Sequence, residues 1–239
     1  MHAWNEFFDG MYCLNLASRP DRMEGMERRF NYFGLKVERA NALSGAIIKP
    51  LYDAFYQTNK YFTTPNYLAC AIGHVQMYAT ALARKQKSIF VIEDDVRIHR
   101  NSDIMTRKAF KDLPSDWDLL YFAYIPLSDD QSMWTYGLVD GTGEKPNFVR
   151  PRNFWSMMGY AMSERMMQHM VNVYGKSYPM EVDRYLVDVI QRGTEFKCYA
   201  ISPQCIASED GYSDNAGTTW NNLSTKSVDS RFAAFHDYV

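Results

Sequence analysis

The stretch Ser88-Ile-Phe-Val-Ile-Glu-Asp-Asp95 places three consecutive carboxylates directly after a short apolar run. Residues 89–92 are all apolar, which is typical of a strand that is buried on both faces of a sheet. Residues 68–85 have the composition of a mostly buried helix that leads straight into this strand. The triplet Glu93–Asp95 therefore lies at the carboxyl end of a strand that follows a helix.

Other segments alternate between strand and helix patterns in the same way. Residues 11–16 form a short apolar strand pattern, and Met23, Met26 and Phe30 recur at helical spacing within residues 19–33. Further strands are predicted at 36–39, 118–124, 156–162 and 197–201, and further helices at 163–174 and from Val182. This alternation predicts an α/β fold with a mainly parallel sheet flanked by helices, in which ligands bind at the carboxyl ends of the strands.

The domain organisation follows from the absence of an internal repeat or a clean linker, and we expect a single domain over residues 1–239. Residues 127–153 mix Ser, Asp, Gly and Pro, which predicts a long loop of the kind that often covers a site. Residues 208–239 are polar and are interpreted as a C-terminal tail that is able to order as a lid.

The composition argues against several classes of protein. The 239 residues carry a formal net charge of -2 without a long block of one sign, so nucleic acid is not expected as a partner. The first ten residues contain Glu6 and Asp9 where a signal peptide has basic residues, and no apolar run approaches the roughly 18 residues that span a bilayer. We therefore expect a soluble, cytoplasmic protein without a transmembrane segment.

The cysteines Cys13, Cys70, Cys198 and Cys205 are far apart in the chain. No two of them form a Cys-x-x-Cys pair. This pattern favours reduced thiols in the core over a disulfide framework or a zinc site.

The acidic triplet is suited to binding a cation. In an extended chain Glu93 and Asp95 point to one side and Asp94 to the other, so two carboxylates converge and repel each other unless a cation neutralises them. Oxygen ligands without nearby Cys or His favour Mg²⁺ or Mn²⁺, which are usually held by one or two carboxylates and substrate phosphates. The alternative is a solvated acidic turn, which the triplet alone does not exclude.

Several segments, in their order and spacing, resemble glycosyltransferase family 25, which includes the lipopolysaccharide-type and procollagen galactosyltransferase relatives. The block Thr64-Pro-Asn-Tyr-Leu-Ala-Cys-Ala-Ile-Gly-His74 is similar to the family pattern Thr-Pro-Gly-Glu-Ile-Gly-Cys-x-Leu-Ser-His, and the strand that ends in Glu93-Asp-Asp95 follows it as in the family. The other similar segments are Leu14-Asn-Leu-Ala-Ser-Arg-Pro-Asp-Arg22, Trp117-Asp-Leu-Leu-Tyr121, Val182-Asp-Arg-Tyr-Leu186 and Ser213-Asp214.

The resemblance implies a GT-A-like, Rossmann-related fold that uses a UDP-sugar and a divalent ion, Mn²⁺ or Mg²⁺. The triplet would then be the Asp-x-Asp-type motif. Asp95 and Glu93 are expected as metal ligands, and Asp94 is expected to contact the ion, a water or the ribose of the donor. Asp214, in the closing Ser-Asp segment, is the candidate for a third metal ligand.

The donor site is expected to involve residues near the ends of the first two strands. Arg19 and Arg22 carry guanidinium groups that match phosphate oxygens, and Asn15 ends the first strand; the alternatives are surface arginines and a turn residue. Ser44 stands where the family has a carboxylate near the nucleotide, which weakens any assignment of the donor. His74 is assigned to the same site, although a His on an apolar helix is often a core residue.

The resemblance implies that Asp183 is the catalytic base. On pattern alone it lies on the polar side of a helix whose buried face is formed by Val182, Leu186, Val189 and Ile190, so a solvated Asp is the alternative. Less specific candidates are Glu209, for which a flexible acidic tail is the favoured interpretation, and Trp134 and Trp155, whose rings are able to stack on sugars or to fill the core.

These features lead to a functional hypothesis of inverting transfer of a hexose, with galactose as the expected sugar, from a UDP-sugar to an acceptor hydroxyl. The acceptor is left open among glycans, lipid-linked sugars and protein hydroxyls. One alternative is a metal-dependent phosphatase or nucleotidyltransferase. The other is a sugar-nucleotide or glycan-binding module without catalysis, which the departures Tyr67 and Ser44 from the family pattern make credible.

Overall fold

The computed structural model describes residues 1–126, 148–220 and 237–239. Its strands are β1 (Gly10–Leu16), β2 (Glu38–Ala42), β3 (Ser88–Glu93), β4 (Val96–Ile98), β5 (Leu119–Tyr121), β6 (Ile125–Pro126), β7 (Phe148–Val149), β8 (Phe154–Trp155), β9 (Gly159–Ser163), β10 (Cys198–Ile201), β11 (Ile206–Ser208), β12 (Gly211–Ser213) and β13 (Thr218–Trp220). Its helices are α1 (Ala3–Phe7), α2 (Pro20–Phe33), α3 (Gly45–Phe55), α4 (Pro65–Ala83), α5 (Ser102–Asp112), α6 (Glu164–Tyr174) and α7 (Val182–Tyr185), which continues as a π-helix over Leu186–Gln191.

A seven-stranded sheet in the order β2-β1-β3-β9-β5-β10-β7 forms the centre of the described structure. β1 pairs in parallel with β2 and β3, and β5 pairs in parallel with β10. β9 runs antiparallel between β3 and β5, and β7 is an antiparallel edge strand. All strands of this sheet except β7 and β9 therefore point the same way, which confirms the predicted α/β fold with a mainly parallel sheet flanked by helices.

β3 is buried on both faces, as its apolar run predicts. Ile89 and Val91 pack into a core with residues of α4 and α6, whereas Phe90 and Ile92 pack into a second core with residues of α1, α2 and α5. Burial of apolar side chains from both sides stabilises the strand in one position. Glu93, the last residue of β3, is consequently held at a defined point at the edge of the sheet.

α2 has the extent that its sequence pattern predicts. Pro20 occupies the first turn, where its missing N–H is not needed. Met23, Met26 and Phe30 form the buried face. The helix ends at Gly34, whose φ of 63° lies in the left-handed region that favours glycine.

The helix that begins at Val182 differs from the expected regular α-helix. After one α-helical turn it widens into the π-helix, in which hydrogen bonds join residues five apart. Leu186 and Ile190 stay buried, but Val189 is 42% exposed. The prediction that Val189 shares the buried face was wrong, because the wider turn rotates it away from the core.

The first part of the predicted polar tail forms β-structure. β11 pairs antiparallel with β4, and β12 and β13 form a hairpin. Residues 221–236 lie outside the described residues, and Tyr238 pairs with His99 beyond them. The role of residues 208–239 as a lid stays a prediction.

Two observations concern the cysteines and the helices. All four cysteines are free thiols. Among the described residues, no helix is both long enough and apolar enough to cross a bilayer.

Substitution of alanine at two glycines is expected to change the free energy of unfolding in opposite directions. A Cβ at Gly45 would lie 1.9 Å from Asn66 Oδ1 and 2.9 Å from Asn66 N, so Gly45→Ala forces the start of α4 to move. A Cβ at Gly25, inside α2, meets its nearest atom, on Arg29, at 3.5 Å. We expect Gly45→Ala to lower the free energy of unfolding by about 1–3 kcal/mol and Gly25→Ala to raise it by about 0.5–1 kcal/mol, measured by urea denaturation. Equal effects of the two substitutions would contradict the close contact at Gly45.

Candidate active site

Two adjoining cavities open at the carboxyl ends of β1, β2 and β3. The larger has a volume of about 640 Å³ and the smaller about 340 Å³. Both are lined by Arg22 and by the triplet Glu93–Asp95. Because the strand order changes direction between β1 and β3, this is the crevice where open α/β sheets bind their ligands.

The smaller cavity lies against the ends of the first two strands. Its walls include Leu14 and Leu16 from β1, residues 42–46 at the turn from β2 to α3, and residues 212–215 from the hairpin. Ser44 occupies the N-cap position of α3, but its hydroxyl makes no capping hydrogen bond. Ser44 and the triplet therefore line the same cavity.

The larger cavity is built from more distant segments. It is lined by Tyr67, Cys70 and His74 of α4, residues 155–158 around β8, and Asp183 at the start of α7. The hairpin β12–β13 closes one side through Tyr212 and Trp220. The triplet therefore lies on the wall that the two adjoining cavities share.

The three carboxylates of the triplet have different surroundings. β3 ends at Glu93, and the chain bends at Asp94 and Asp95 before β4. A Glu93 carboxylate oxygen lies 3.5 Å from His74 Nε2, whereas Asp94 and Asp95 both form ion pairs with Arg22. The side chains were expected to alternate between two faces along an extended chain. This alternation ends at Glu93, because the chain bends at the next two residues.

Asp94 is the most buried member of the triplet, with 8% of its surface exposed. Asn15 Nδ2 donates to one of its oxygens at 2.6 Å, and Arg22 Nη1 donates to the other at 3.0 Å. Burial raises the pKa of Asp94, and these two donors oppose the shift. Asn15 also donates to the Arg19 carbonyl at 2.9 Å, so it links the end of β1 to the triplet.

Asp95 is held in a confined, negatively charged position. Burial and then the charge of Glu93 raise the pKa of Asp95 to about 7, against the opposing charge of Arg22. Among the described residues, Arg22 is the one basic side chain in ion-pair contact with Asp95, at 3.3 Å. A carboxylate whose ionised form is disfavoured in this way gains from an added cation.

Arg22 stands at the centre of several carboxylates. Its Nη1 lies 3.0 Å from Asp94 Oδ1, 3.3 Å from Asp95 Oδ2 and 3.9 Å from Asp214 Oδ2, and its Nη2 donates to the Tyr212 carbonyl. Asp214 also accepts from Arg19 Nη1 at 2.8 Å. The structure brings Arg19, Arg22 and Asp214 together with the triplet, although Arg19 and Asp214 are 195 positions apart in the chain.

His74 is both a core residue and a neighbour of the triplet. It has no exposed surface, and its Nδ1 is hydrogen-bonded to Tyr160 Oη at 2.8 Å. Its Nε2 faces Glu93 without a hydrogen-bond partner. Burial lowers the pKa of His74, but the proximity of Cys70 and Glu93 outweighs this and raises the pKa to about 10.

Asp183 is half-buried and lines the larger cavity. Its Oδ1 accepts from the Arg184 N–H at 2.8 Å. Burial raises the pKa of Asp183 to about 6, with further upward shifts from Glu181 and Glu93 and an opposing one from the Arg184 N–H. A carboxylate with a pKa near the working pH, in a cavity, suits a general base.

The structure describes two of the less specific candidates, Glu209 and Trp155. The Glu209 carboxylate is paired with Arg97 Nε at 2.8 Å and with Arg29, and its N–H donates to the Asp95 carbonyl at 2.7 Å. It is tied to β4 and α2, so its interpretation as part of a flexible tail was wrong. Trp155 lines the larger cavity, and Trp134 lies outside the described residues.

The main feature that sequence reasoning missed is the position of Cys70, which we expected to be a simple core thiol. Cys70 is half-buried and lines both cavities. Its spacing of four from His74 on α4 was the available signal, because residues four apart share one face of a helix.

The sequence of this chain is similar to a known protein family. Residues 8–186 match the family model described as glycosyltransferase family 25 (LPS biosynthesis protein). The chain belongs to glycosyltransferase family 25. The matched range contains the triplet, Cys70, His74 and Asp183, and it ends before Asp214.

Individual relatives are distant and much longer. A glycosyltransferase 25 family member from Aedes aegypti is 24% identical over 190 residues, which is 74% of this chain and 30% of that protein. Procollagen galactosyltransferase 2 from Mus musculus is 24% identical over 200 residues, 75% of this chain and 30% of that protein. The chain therefore spans less than a third of the length of these curated relatives.

Two further similarities concern a protein named as inactive and a solved structure. The inactive glycosyltransferase 25 family member 3 from Homo sapiens is 23% identical over 146 residues, 55% of this chain and 24% of that protein. A solved glycosyltransferase involved in the glycosylation of the major capsid of PBCV-1 aligns with a TM-score of 0.45 and 9% identity, covering 87% of this chain and 96% of that chain.

The raised pKa of Asp183 predicts a pH-dependent effect on stability. An acid whose pKa rises on folding destabilises the fold where it is ionised, so the penalty is absent below pH 4 and complete above about pH 6. We expect Asp183→Asn to raise Tm by roughly 2–5 °C at pH 8 and to leave it nearly unchanged at pH 4. The exposed Asp116 provides the control, since Asp116→Asn should have little effect at either pH. A uniform change in Tm at both pH values would contradict the proposed burial of the charge.

Proposed function

We propose that this chain transfers a hexose, with galactose as the expected sugar, from a UDP-sugar to an acceptor hydroxyl with inversion at the anomeric carbon. The observation that carries the proposal is the placement of the acidic triplet between two cavities at the carboxyl ends of the parallel strands. Membership of glycosyltransferase family 25 and the similarity to a protein named as a procollagen galactosyltransferase support it.

The smaller cavity is assigned to the nucleotide. It lies at the ends of β1 and β2, with the start of α3 on its wall. Arg19 and Arg22 border the adjoining larger cavity and carry the planar guanidinium groups that pair with phosphate oxygens. Both arginines contact carboxylates in the described structure, so binding of a diphosphate requires them to exchange partners.

Glu93 and Asp95 would hold the divalent ion, with Asp214 as the third carboxylate. Burial and the charge of Glu93 raise the pKa of Asp95, so this carboxylate gains from a cation, and Mn²⁺ or Mg²⁺ needs only oxygen ligands. In the described structure the three carboxylates do not converge as closely as the Cys70, His74 and Glu93 ligand atoms, so binding of the ion requires them to move together. When bound, the ion offsets the charge on the departing diphosphate. Asp94 is assigned a positioning role, since both of its oxygens are engaged by Asn15 and Arg22.

The larger cavity is assigned to the acceptor and the reacting sugar. Asp183 takes the proton of the acceptor hydroxyl as that oxygen attacks the anomeric carbon, and the bond from this carbon to the UDP oxygen breaks. The products are the glycosylated acceptor, UDP and protonated Asp183. Trp155 borders the same space and offers an aromatic face on which an acceptor sugar can pack.

The ion assignment predicts the behaviour of an Asp95→Ala variant. We expect it to lose transfer from UDP-galactose and the Mn²⁺-dependent rise in Tm with UDP, while its circular dichroism is unchanged. Asp53→Ala, which removes an exposed carboxylate paired with Lys49, is the control and should keep both properties. The same thermal assay with GDP-, CMP- and dTDP-sugars tests which nucleotide the donor carries. Full Mn²⁺-dependent activity in Asp95→Ala would overturn the assignment.

The base assignment predicts how the rate depends on pH. Because Asp183 has to be ionised to accept a proton, transfer should increase with pH through about 6 and level off above it. Asp183→Asn should lower kcat by about 10²–10⁴-fold while UDP still raises Tm in the presence of Mn²⁺. An unchanged kcat in this variant would exclude Asp183 as the base.

One alternative function is favoured by a specific observation. The similarity to a human relative named as inactive, together with Ser44 at the smaller cavity, is consistent with a module that binds sugar nucleotides without catalysis. This alternative expects a rise in Tm with UDP but no turnover with any acceptor. Hydrolysis that shows no preference for UDP would instead indicate a phosphatase or nucleotidyltransferase.

A further inference from the structure

Cys70, His74 and Glu93 form a compact cluster of three different metal-ligating groups. Cys70 and His74 stand four residues apart on α4 and therefore share one helix face, and Glu93 ends the neighbouring strand β3. One ligand atom from each residue lies within 4.8 Å of the others. In the part of the chain that the structure describes, no other set of His, Cys, Asp and Glu side chains is this close.

The imidazole of His74 is oriented as in a metal ligand. Its Nδ1 is hydrogen-bonded to Tyr160 Oη at 2.8 Å, and Tyr160 Oη is hydrogen-bonded to Tyr78 Oη at 2.6 Å. When Nδ1 carries the hydrogen and donates it to Tyr160, the lone pair of Nε2 points toward Cys70 and Glu93. Ligating histidines usually donate their other ring N–H in this way, which fixes the tautomer.

The distances around Nε2 suit a shared ion better than a hydrogen bond. Nε2 lies 3.5 Å from Glu93 Oε1 and has no hydrogen-bond partner, although His74 has no exposed surface. Two ligand atoms that are each about 2.0–2.2 Å from a tetrahedral ion lie about 3.4 Å apart. The observed separation therefore matches two ligands of one ion.

We propose that Cys70 Sγ, His74 Nε2 and the Glu93 carboxylate form a Zn²⁺ site. A thiolate and an imidazole favour Zn²⁺ over Mg²⁺ and Mn²⁺, which prefer oxygen ligands. Three protein ligands leave a fourth tetrahedral position, and all three residues line the larger cavity. This position is open to a water or to a hydroxyl of a bound molecule.

The zinc site is distinct from the carboxylate site assigned to Mn²⁺, and it does not depend on the proposed transfer reaction. Glu93 belongs to both sets, whereas Cys70 and His74 belong only to the first and Asp95 only to the second. Variants at Cys70 and Asp95 therefore separate the two sites.

A spectroscopic experiment tests the ligands directly. The full chain is stripped of metal with a chelator and titrated with Co²⁺, a coloured substitute for Zn²⁺. We expect one equivalent to bind with a near-ultraviolet thiolate-to-cobalt absorption band, which Zn²⁺ then abolishes. The band should be lost in Cys70→Ser and kept in Cys198→Ser, which removes a buried thiol outside the cluster. A folded wild-type chain without this band would overturn the proposal.

A thermal-shift experiment separates the zinc site from the proposed function. Zn²⁺ should raise Tm of the wild type and of Asp95→Asn, but not of Cys70→Ser or His74→Gln. Mn²⁺ with UDP should raise Tm of the wild type and of Cys70→Ser, but not of Asp95→Asn. A Zn²⁺ shift that persists in both Cys70→Ser and His74→Gln contradicts the zinc site, whereas loss of the Mn²⁺ shift alone contradicts only the carboxylate site.

Discussion

The negative charge that β3 carries to the edge of the sheet has to be balanced by partners from distant parts of the chain. Adjacent carboxylates repel each other, and the repulsion grows when burial removes solvent. Here Glu93 faces His74, Asp94 accepts from Asn15, and Asp95 pairs with Arg22. Polar side chains from α2, α4 and β1 therefore surround the end of β3 in addition to the apolar packing of these elements.

The parallel pairing of β1 with β3 makes this arrangement possible. Their register places Leu14 opposite Glu93, so that Asn15 follows at the level of Asp94. Arg19 and Arg22 come next in the chain, at the start of α2, and face the same edge of the sheet. A short segment after one strand thus supplies the counter-charges for the end of its neighbour.

Glu93 lies between two groups of side chains that suit different kinds of metal ion. Toward α2 the neighbouring groups are carboxylates and arginines, which suit a hard cation and a diphosphate. Toward α4 they are a thiol and an imidazole, which suit a softer ion. Both environments depend on the burial of residues 89–92 in β3, because this burial fixes the position of Glu93 at the end of the strand.

Local patterns in the sequence determined the main strands of the sheet, the helices α2, α4 and α6, the α/β class, the acidic triplet at a strand end and the family resemblance, because apolar periodicity and motif order act over short spans. They did not predict α1, α3 or α5. They also selected Asn15, Arg19, Arg22 and Asp214 as site residues. The tertiary structure alone decided their partners, since the Arg19–Asp214 pair joins residues 195 positions apart. It likewise turned Val189 outward through a π-helix, tied Glu209 to two arginines and brought Cys70 to His74 and Glu93. Such pairings depend on which helix face meets which strand end, and no single segment of sequence contains that information.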